Sequence, residues 1–295
     1  MNIFLDNVDL SSRSGPNHFA RKLKKYMERQ GDTFTFAEVF DVQLSFIEVK
    51  NKMTKNLVQR LDGIYFNEQF DYMSQNDPIL RTYRDARGVI FQSEFNKRLS
   101  FEFFGNHNNY RVIRNGADLE FINSIKPLDH EVINKHEKVW SCASSWRPHK
   151  RLNENIRYFL EHSGPNDCMV VAGDVPNPII QERVYYVGNL DIHTLISLYK
   201  KSDYFIHLAF LDHCPNVVVD AVACGCKVIC SSSGGTKEVA VGATLIEEDE
   251  WDFRPLRLYE PPAMDFTRKK ENNYDTNIDM KYVASQYNKF LGEIR

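Results

Sequence analysis

Short apolar segments alternate with amphipathic ones along most of the chain, and this alternation limits the folds open to it. In the second half the strand-like segments are 138–143, 168–172, 184–187, 204–208, 227–231 and 243–246. The helical patterns between them cover 151–162, 191–201, 215–224 and 236–241. Strands that alternate with helices at this spacing form a mostly parallel sheet covered by helices on both faces. The second half therefore predicts a doubly wound α/β domain.

The first half repeats the alternation less regularly. A strand is expected in NIFLDN, and Gly15-Pro16 precedes a helical pattern that runs to about Arg29. Another strand, 89–92, precedes a helical run that Ser93 can cap. These segments predict a smaller α/β domain of the same class.

A polar connector around 124–137 separates the two halves. We expect a first Rossmann-like domain over 1–130 and a second over 131–278, with the terminal helix 279–295 joined to the first. The segment 247–266 lacks periodicity and carries three prolines, so it predicts an ordered loop.

Composition excludes several classes of protein. The 295 residues carry a formal net charge of -3, so no surface for nucleic acid is expected. The start of the chain does not resemble a signal peptide, and no apolar run approaches the ~18 residues that would span a bilayer. The six cysteines fall between Cys142 and Cys230 without zinc-site spacing, which favours free buried thiols in a reducing compartment. We expect a cytoplasmic protein without a membrane span.

The segment DHCPNVVVDAVACGC follows a predicted strand and carries two carboxylates eight positions apart. Pro215 suits the first position of a helix, and Gly225 suits its end. Asp212 is therefore expected in the loop and Asp220 in the second helical turn.

Two helix starts after neighbouring strands suit a diphosphate ligand. The free amides around Cys214 to Val217 are expected in the crevice beyond the strand ends, where the helix dipole favours a phosphate. The Gly234-Gly235 turn repeats this device, with Glu238 in the first turn of the next predicted helix. Carboxylates near such sites bind hydroxyl groups, so the acids suit ribose or sugar hydroxyls.

The loop SSWRPHKR adds positive charge after the first strand of the same domain. Arg147 and Lys150 can form charge-assisted hydrogen bonds to the same phosphates. An ordinary loop with basic surface residues is the alternative. Beside the two other loops, a phosphate site is the better interpretation.

In the first half, QRLDGIYFNEQF places Asp62 beside Gly63, a pair typical of a turn. A loop at this position can also carry function, so Asp62 is a candidate for the site. His18 could reach a phosphate, although a histidine on a surface helix is the better interpretation. His207 is expected to be a hydrogen-bonded core residue.

The segments SSWRPHK, VVAGD, VYYVGNLD and LYKKSDYFIHLAFLDHCPNVVVDAVACGCKVICSSSGGTKEV, in this order, resemble the donor-binding domain of GT-B glycosyltransferases. The nearest group is the retaining enzymes of family 4. The resemblance covers about 138–246 and is weaker over the first half, where Gly15 falls in a segment similar to the family's glycine loop. It implies two Rossmann-like domains with a cleft between them. The compact chain also looks like glycosyltransferases carried by large DNA viruses.

The resemblance implies roles for individual residues. The family's two glutamates, separated by seven residues, correspond here to Asp212 and Asp220, each shorter by one methylene. Asp220 would hold ribose hydroxyls, Asp212 would lie near the transferred hexose, and Asp62 would face the donor sugar. Arg147 and Lys150 would stabilise the departing nucleoside diphosphate. The further donor-binding candidates are Gly15, Ser145 (where the family has its arginine), His213, Cys214, Pro215, Asn216, Val217, Gly234, Gly235 and Glu238.

The activity implied is retaining transfer of a hexose from a nucleotide diphosphate sugar to a hydroxyl of a glycan or glycoprotein. GDP-mannose is the first expectation for the donor and a UDP-hexose the second. Front-side attack needs no protein nucleophile and no obligatory metal, so no cofactor is expected.

A nucleotide-sugar 2-epimerase and a sugar-nucleotide-binding module without catalysis stay open as alternatives. A nicotinamide dehydrogenase is disfavoured because no GxGxxG follows a strand. A two-fold homodimer is the expected form of any association.

Overall fold

The computed structural model describes residues 1–12, 14–35, 39–51 and 54–295. Within these residues, the first sheet has six parallel strands in the order β2-β1-β3-β4-β5-β6. The strands are β1 Asn2–Asp6, β2 Thr33–Thr35, β3 Val42–Phe46, β4 Leu57–Leu61, β5 Gly88–Phe91 and β6 Tyr110–Val112. The expected parallel sheet of the first half is therefore present.

Helices cover both faces of this sheet. Helices α1 Gly15–Arg29 and α8 Met280–Ile294 share one core cluster with β1 and β3. Helices α2 Tyr72–Asp85 and α3 Glu94–Phe104 share another with the opposite faces of β4 and β5. The helix that follows the second domain in the chain thus completes the core of the first.

The second sheet has the order β13-β12-β11-β10-β7-β8-β9, and all its strands are parallel except β13. Its strands are β7 Val139–Ala143, β8 Cys168–Ala172, β9 Val184–Gly188, β10 Tyr204–His207, β11 Lys227–Ser231, β12 Thr244–Ile246 and β13 Lys269–Glu271. The helices of this half are α4 Leu119–Ser124, α5 Leu152–His162, α6 Ile192–Lys201 and α7 Asn216–Ala223. Helices α4, α6 and α7 pack on one face of the sheet, and α5 packs on the other.

Helix α4 lies with the second core, although the expected boundary at 130 assigns it to the first domain. Ile122 and Ile125 pack in the same cluster as Val218. Lys200 Nζ donates to the carbonyls of both isoleucines, at 3.0 and 2.6 Å. The chain therefore leaves the first core before residue 119.

Two details of the predicted helices are wrong. The helix expected over 236–241 is only a 3-10 turn, Thr236–Glu238. The Asn272 side chain donates to the carbonyl of Ala240 at 2.6 Å and to that of Lys237, so further helical bonds from these carbonyls are replaced. Pro215 is the N-cap of α7 and not its first residue.

The connections of the second sheet create a crevice. Strands β7 and β10 are neighbours, although the chain first builds β8 and β9 on one side before it returns to β10. The loops after β7 and β10 therefore diverge at the carboxyl edge of the sheet, where α/β proteins bind ligands. In the described part of the chain, no helix is long and apolar enough to cross a membrane.

Candidate active site

A cleft of about 740 Å³ lies between the carboxyl edges of the two sheets. The predicted site residues that line it are Gly15, Asp62, Ser145, Arg147, Lys150, Asp212, His213, Cys214, Pro215, Asn216, Val217 and Asp220. Gly234, Gly235 and Glu238 are not among the lining residues. The structure thus brings most of the candidates together in this cleft and places three of them outside its lining.

The loop before α7 is held by its neighbours in an uncommon conformation. Leu211 has a left-handed backbone, with φ of 52°, which costs a residue other than glycine about 1–3 kcal/mol. Its N–H donates to Ser233 Oγ at 3.2 Å, and the Phe210 N–H donates to the His149 carbonyl at 2.7 Å. These contacts fix the position of the next residue, Asp212.

Asp212 carries a negative charge at the cleft wall. Its Oδ2 accepts hydrogen bonds from Lys150 Nζ at 2.5 Å and from His207 Nε2 at 2.9 Å. Burial raises the pKa of Asp212, but Lys150 and His207 outweigh burial and hold that pKa well below its usual value. Burial also lowers the pKa of His207 against the opposing effect of Asp212. The group is an anion between a lysine and a neutral imidazole.

The first turn of α7 borders the cleft without a capping side chain. Asn216 is the first residue of the helix, and its Nδ2 donates to the Gly15 carbonyl at 3.0 Å. The first amides of a helix have no partners within it, and they carry the positive end of its dipole. The start of α7 can therefore hold an anionic ligand.

Asp220 lies in the same cleft and pairs with helix α1 of the first domain. Lys22 Nζ lies 3.3 Å from Asp220 Oδ1, and His18 Nε2 lies 3.8 Å from Oδ2. Burial raises the pKa of Asp220, but Lys22 and His18 outweigh it and lower the pKa. His18, expected on a helix surface, lines the cleft. Lys22 was not anticipated, because nothing distinguishes it within the basic run RKLKK.

The Gly234-Gly235 turn supports the Asp212 loop from behind. The Gly235 N–H donates to the Asp212 carbonyl at 2.8 Å. Gly234 has a φ of 69°, and a Cβ there would lie 2.5 Å from the same carbonyl oxygen. A Cβ on Gly235 would collide with the His213 carbonyl and lie 2.6 Å from Ser93 Oγ. The glycines are needed because the backbone of 211–213 and the Ser93 side chain approach the turn closely.

Glu238 joins the two domains and does not reach the cleft lining. Its oxygens accept hydrogen bonds from the backbone N–H groups of Glu94 and Phe95, at 2.8 and 2.9 Å, at the start of α3. Arg114 adds two more bonds to Oε2, at 3.0 and 2.7 Å. The first domain thus supplies four donors to this carboxylate, and the expected contact of Glu238 with the donor stays a prediction.

Asp62 lines the cleft from the first domain and pairs with the buried Arg60. Arg60 donates through Nε to the Tyr287 hydroxyl at 2.9 Å and through Nη2 to Asn115 Oδ1 at 2.8 Å. Asn115 in turn donates to the Cys214 carbonyl at 2.8 Å. The chain of bonds connects Asp62 to the loop of Asp212 through Arg60, which belongs to the same polar segment, QRLDGIYFNEQF.

His213 rests on Gly63 across the domain boundary. Gly63 has a φ of 146°, and a Cβ there would lie 2.6 Å from His213 Nε2. Burial lowers the pKa of His213 to about 4, so the imidazole is neutral at pH 7. Any side chain at 63 would displace it.

The other end of the cleft has a small and apolar lining. The lining residues there that are not among the predicted site residues are Ala143, Ser144, Ala172, Gly173, Leu190, Ile192 and Leu195. They lie at or after the ends of β7, β8 and β9, and Ile192 and Leu195 belong to the start of α6. An apolar space beside a helix N-terminus suits the base of a nucleotide. The small residues of VVAGD and VYYVGNLD could have indicated it.

A second cavity of about 410 Å³ adjoins the cleft. The residues that line both spaces are Asp62, Arg147, Lys150, Asp212 and His213. The two spaces therefore meet at the charged groups of the site. Among the described residues, no group of three or more His, Cys, Asp or Glu side chains could hold a metal ion.

Two Rossmann-like domains that face each other across such a cleft define the GT-B fold. Residues 130–244 match the family model described as glycosyl transferases group 1. The chain is similar to HepE from Anabaena in complex with UDP-glucose, with 16% identity over 99% of this chain and 100% of that one, and a TM-score of 0.68.

Two other solved structures share this fold. The sucrose-phosphate synthase from Thermosynechococcus elongatus is 12% identical over 100% of this chain and 99% of that one, with a TM-score of 0.70. WaaG, a glycosyltransferase involved in lipopolysaccharide biosynthesis, is 11% identical over 100% and 94%, with a TM-score of 0.63. No curated protein matches the chain.

Proposed function

We propose that this protein is a retaining glycosyltransferase of the family 4 type, which transfers a hexose from a nucleotide diphosphate sugar to a glycan hydroxyl without a metal. The observation that carries the proposal is one cleft that joins Lys150 and Arg147, the uncapped start of α7, and the carboxylates Asp212 and Asp220. Cations and helix amides suit a diphosphate, and carboxylates suit hydroxyl groups.

In this proposal the start of α7 and the two basic side chains bind the diphosphate. As the bond between the anomeric carbon and the phosphate oxygen breaks, Lys150 and Arg147 stabilise the charge that develops on the leaving group. The acceptor oxygen forms its bond to the same face of the anomeric carbon. Its proton passes to the departing phosphate oxygen. Asp212 accepts hydrogen bonds from hexose hydroxyls, and Asp220 accepts them from the ribose.

GDP-mannose is the first proposal for the donor, and a UDP-hexose is the second. The complex of HepE with UDP-glucose supports a donor of the second kind in this fold. The second cavity favours a transferase over a 2-epimerase, because an epimerase has no acceptor to accommodate. A cytoplasmic location, a viral type of enzyme and a homodimer stay predictions.

Calorimetric titration of the protein with GDP-mannose, UDP-glucose and related nucleotide sugars tests the proposal. We expect binding of at least one donor, and an affinity lower by about tenfold or more in Asp220→Asn, because a charged hydrogen bond to ribose is lost. Asp249→Asn, at a carboxylate that is 91% exposed, is the matched control.

Three results would count against the proposal. Absence of binding to every nucleotide sugar would remove the central claim. An inverted anomeric configuration of the product by NMR would exclude the retaining mechanism. Consumption of donor to an isomer without any acceptor would favour the epimerase.

A further inference from the structure

The second cavity has walls built from both domains. The segment 256–260, from the second half of the chain, lies against 66–69 of the first. The Glu68 N–H donates to the Leu256 carbonyl at 3.0 Å, and the Leu256 N–H donates to the Phe66 carbonyl at 3.2 Å. Backbone hydrogen bonds between the two domains therefore hold the walls of this cavity together.

Several buried polar atoms of this cavity lack partners. Asn67 is 8% exposed, and its Nδ2 has no hydrogen-bond partner within the described residues. Its Oδ1 accepts from the N–H groups of Gln69 and Leu258, both at 3.2 Å, which fixes the amide orientation. Buried polar groups are nearly always paired, so an unpaired amide beside a cavity points to a missing ligand group.

Two histidines of the cavity also have a buried ring nitrogen without a hydrogen-bond partner in the described residues. His149 Nδ1 and His213 Nδ1 are buried, and the described part of the chain offers neither a partner. Burial lowers the pKa of His149 to about 3 and that of His213 to about 4, so both rings are neutral. A neutral imidazole can donate to or accept from a hydroxyl group. Asp62 Oδ2 is a further buried oxygen without a hydrogen-bond donor among these residues.

Aromatic rings form the outer wall. Tyr259 stacks on His149 with centroids 5.5 Å apart and an angle of 3°, and Phe70 meets Tyr259 edge-on at 5.6 Å. Tyr65 and Phe70 line the cavity and are each 50% exposed. Rings beside scattered hydroxyl-binding groups suit a ligand that has both C–H faces and hydroxyls.

The charges of the cavity disfavour a phosphorylated ligand. Its lysine and arginine residues are Lys150 and Arg147, and both stand on the wall shared with the donor cleft. Lys150 is already paired with Asp212. Among the residues that the structure describes, the outer part of the lining has no lysine or arginine to balance a phosphate, whose uncompensated burial would be costly.

We propose that the second cavity binds the acceptor, and that this acceptor is an uncharged hexopyranoside and not a sugar phosphate. The inference rests on the transferase function proposed above. The pyranose lies between Tyr65, Phe70 and Tyr259, and its hydroxyls satisfy Asn67 and His149. The attacking hydroxyl then lies at the junction of the two spaces, beside Asp62 and Asp212.

The test measures release of nucleoside diphosphate with the donor identified by titration. The probes are p-nitrophenyl glucosides, galactosides and mannosides, and they are compared with the 1- and 6-phosphates of the same hexoses. We expect turnover with at least one uncharged hexoside and at least about tenfold lower kcat/KM with every phosphate, because none of the described residues supplies a free cation to the outer part of the cavity.

Two variants locate the binding site. Asn67→Asp keeps the oxygen that accepts from Gln69 and Leu258 but removes the amide donor, and Tyr65→Ala removes a half-exposed ring. Each is expected to raise the acceptor KM by about tenfold and to leave donor affinity and acceptor-independent donor hydrolysis unchanged. Tyr282→Ala, at a tyrosine of α8 with 47% exposure, is the matched control and should leave all constants unchanged.

The outcomes separate the two proposals. Failure to bind any nucleotide sugar removes the transferase function itself. Donor binding with a preference for sugar phosphates, or an unchanged acceptor KM in both variants, overturns the inference about the acceptor and leaves the transferase function intact.

Discussion

A substitution at Glu238 distinguishes two roles for this residue, contact between the domains and binding of the donor. Its side chain is 2% exposed and receives two backbone N–H groups of α3 together with Arg114. Removing one partner of a buried charged pair costs about 3–5 kcal/mol. Arg114 is 24% exposed, so water can solvate it in part, and the lower end of that range applies. We predict that Glu238→Ala lowers the free energy of unfolding by about 3 kcal/mol.

Urea unfolding at pH 7, followed by circular dichroism, measures the loss of stability. Titration with the nucleotide-sugar donor, under conditions where the variant is folded, measures the donor Kd. Because Glu238 does not line the cleft, the donor Kd should change by less than about threefold, which is within 1 kcal/mol. Arg114→Met provides the other half of a double-mutant cycle, and the pair should show coupling.

Either of two results would refute this reasoning. If Glu238→Ala unfolds with a free energy within about 1 kcal/mol of the wild type, the contact to α3 does not contribute as its geometry suggests. If stability is unchanged and the donor Kd rises tenfold, Glu238 faces the donor, as its place after the Gly-Gly turn first suggested.

Two further predictions concern the residues around the Asp212 loop. Gly235→Ala should lower kcat by about tenfold or more, because the new methyl group displaces the His213 carbonyl. The control Gly292→Ala, in open space on α8, should leave kcat unchanged. Equal kcat values for the wild type and Gly235→Ala would contradict the packing argument. His149 takes up a proton near pH 6.5 when unfolded but only near pH 3 when folded, so stability is lost as pH falls below 6.5. Between pH 7 and pH 5 the wild type should lose about 2 kcal/mol more than His149→Phe, and parallel pH profiles would contradict this assignment.

The sequence allowed the second sheet to be predicted closely, because its strands are short apolar runs bounded by helical patterns. The first sheet was harder to predict. Strands β3 and β4 carry buried polar residues, among them Gln43, Gln59 and Arg60, which interrupt the apolar pattern. Some of their hydrogen bonds go to groups far away in the chain, such as the bond from Arg60 to the Tyr287 hydroxyl. A hydropathy pattern does not contain such tertiary partners.

Helix α2 was missed for a local reason. Pro78 lies inside it, and proline normally ends a helix. The Asp71 side chain caps the helix by accepting from the Ser74 N–H at 3.1 Å, and Ile79 and Tyr83 bury its inner face. Packing of these residues outweighs the loss of one helical hydrogen bond.

For the candidate site, too, local sequence patterns were predictive and tertiary contacts were not. Residues near one another in the chain, from Asp212 to Asp220, were predicted to share a cleft, and they do. Glu238 was predicted beside them, yet its partners lie more than a hundred residues away in the chain. Contacts between the two domains depend on how the sheets face each other, which local spacing does not determine.

The position of α8 constrains the order in which the protein can form during synthesis. Phe290 and Ile294 close the core over Gly88, so nascent chains lack part of the first core until translation has passed residue 294. The second domain is continuous in the chain and can complete its core earlier. Of these two domains, the one whose sheet is synthesised first is therefore completed second, which reverses the usual order.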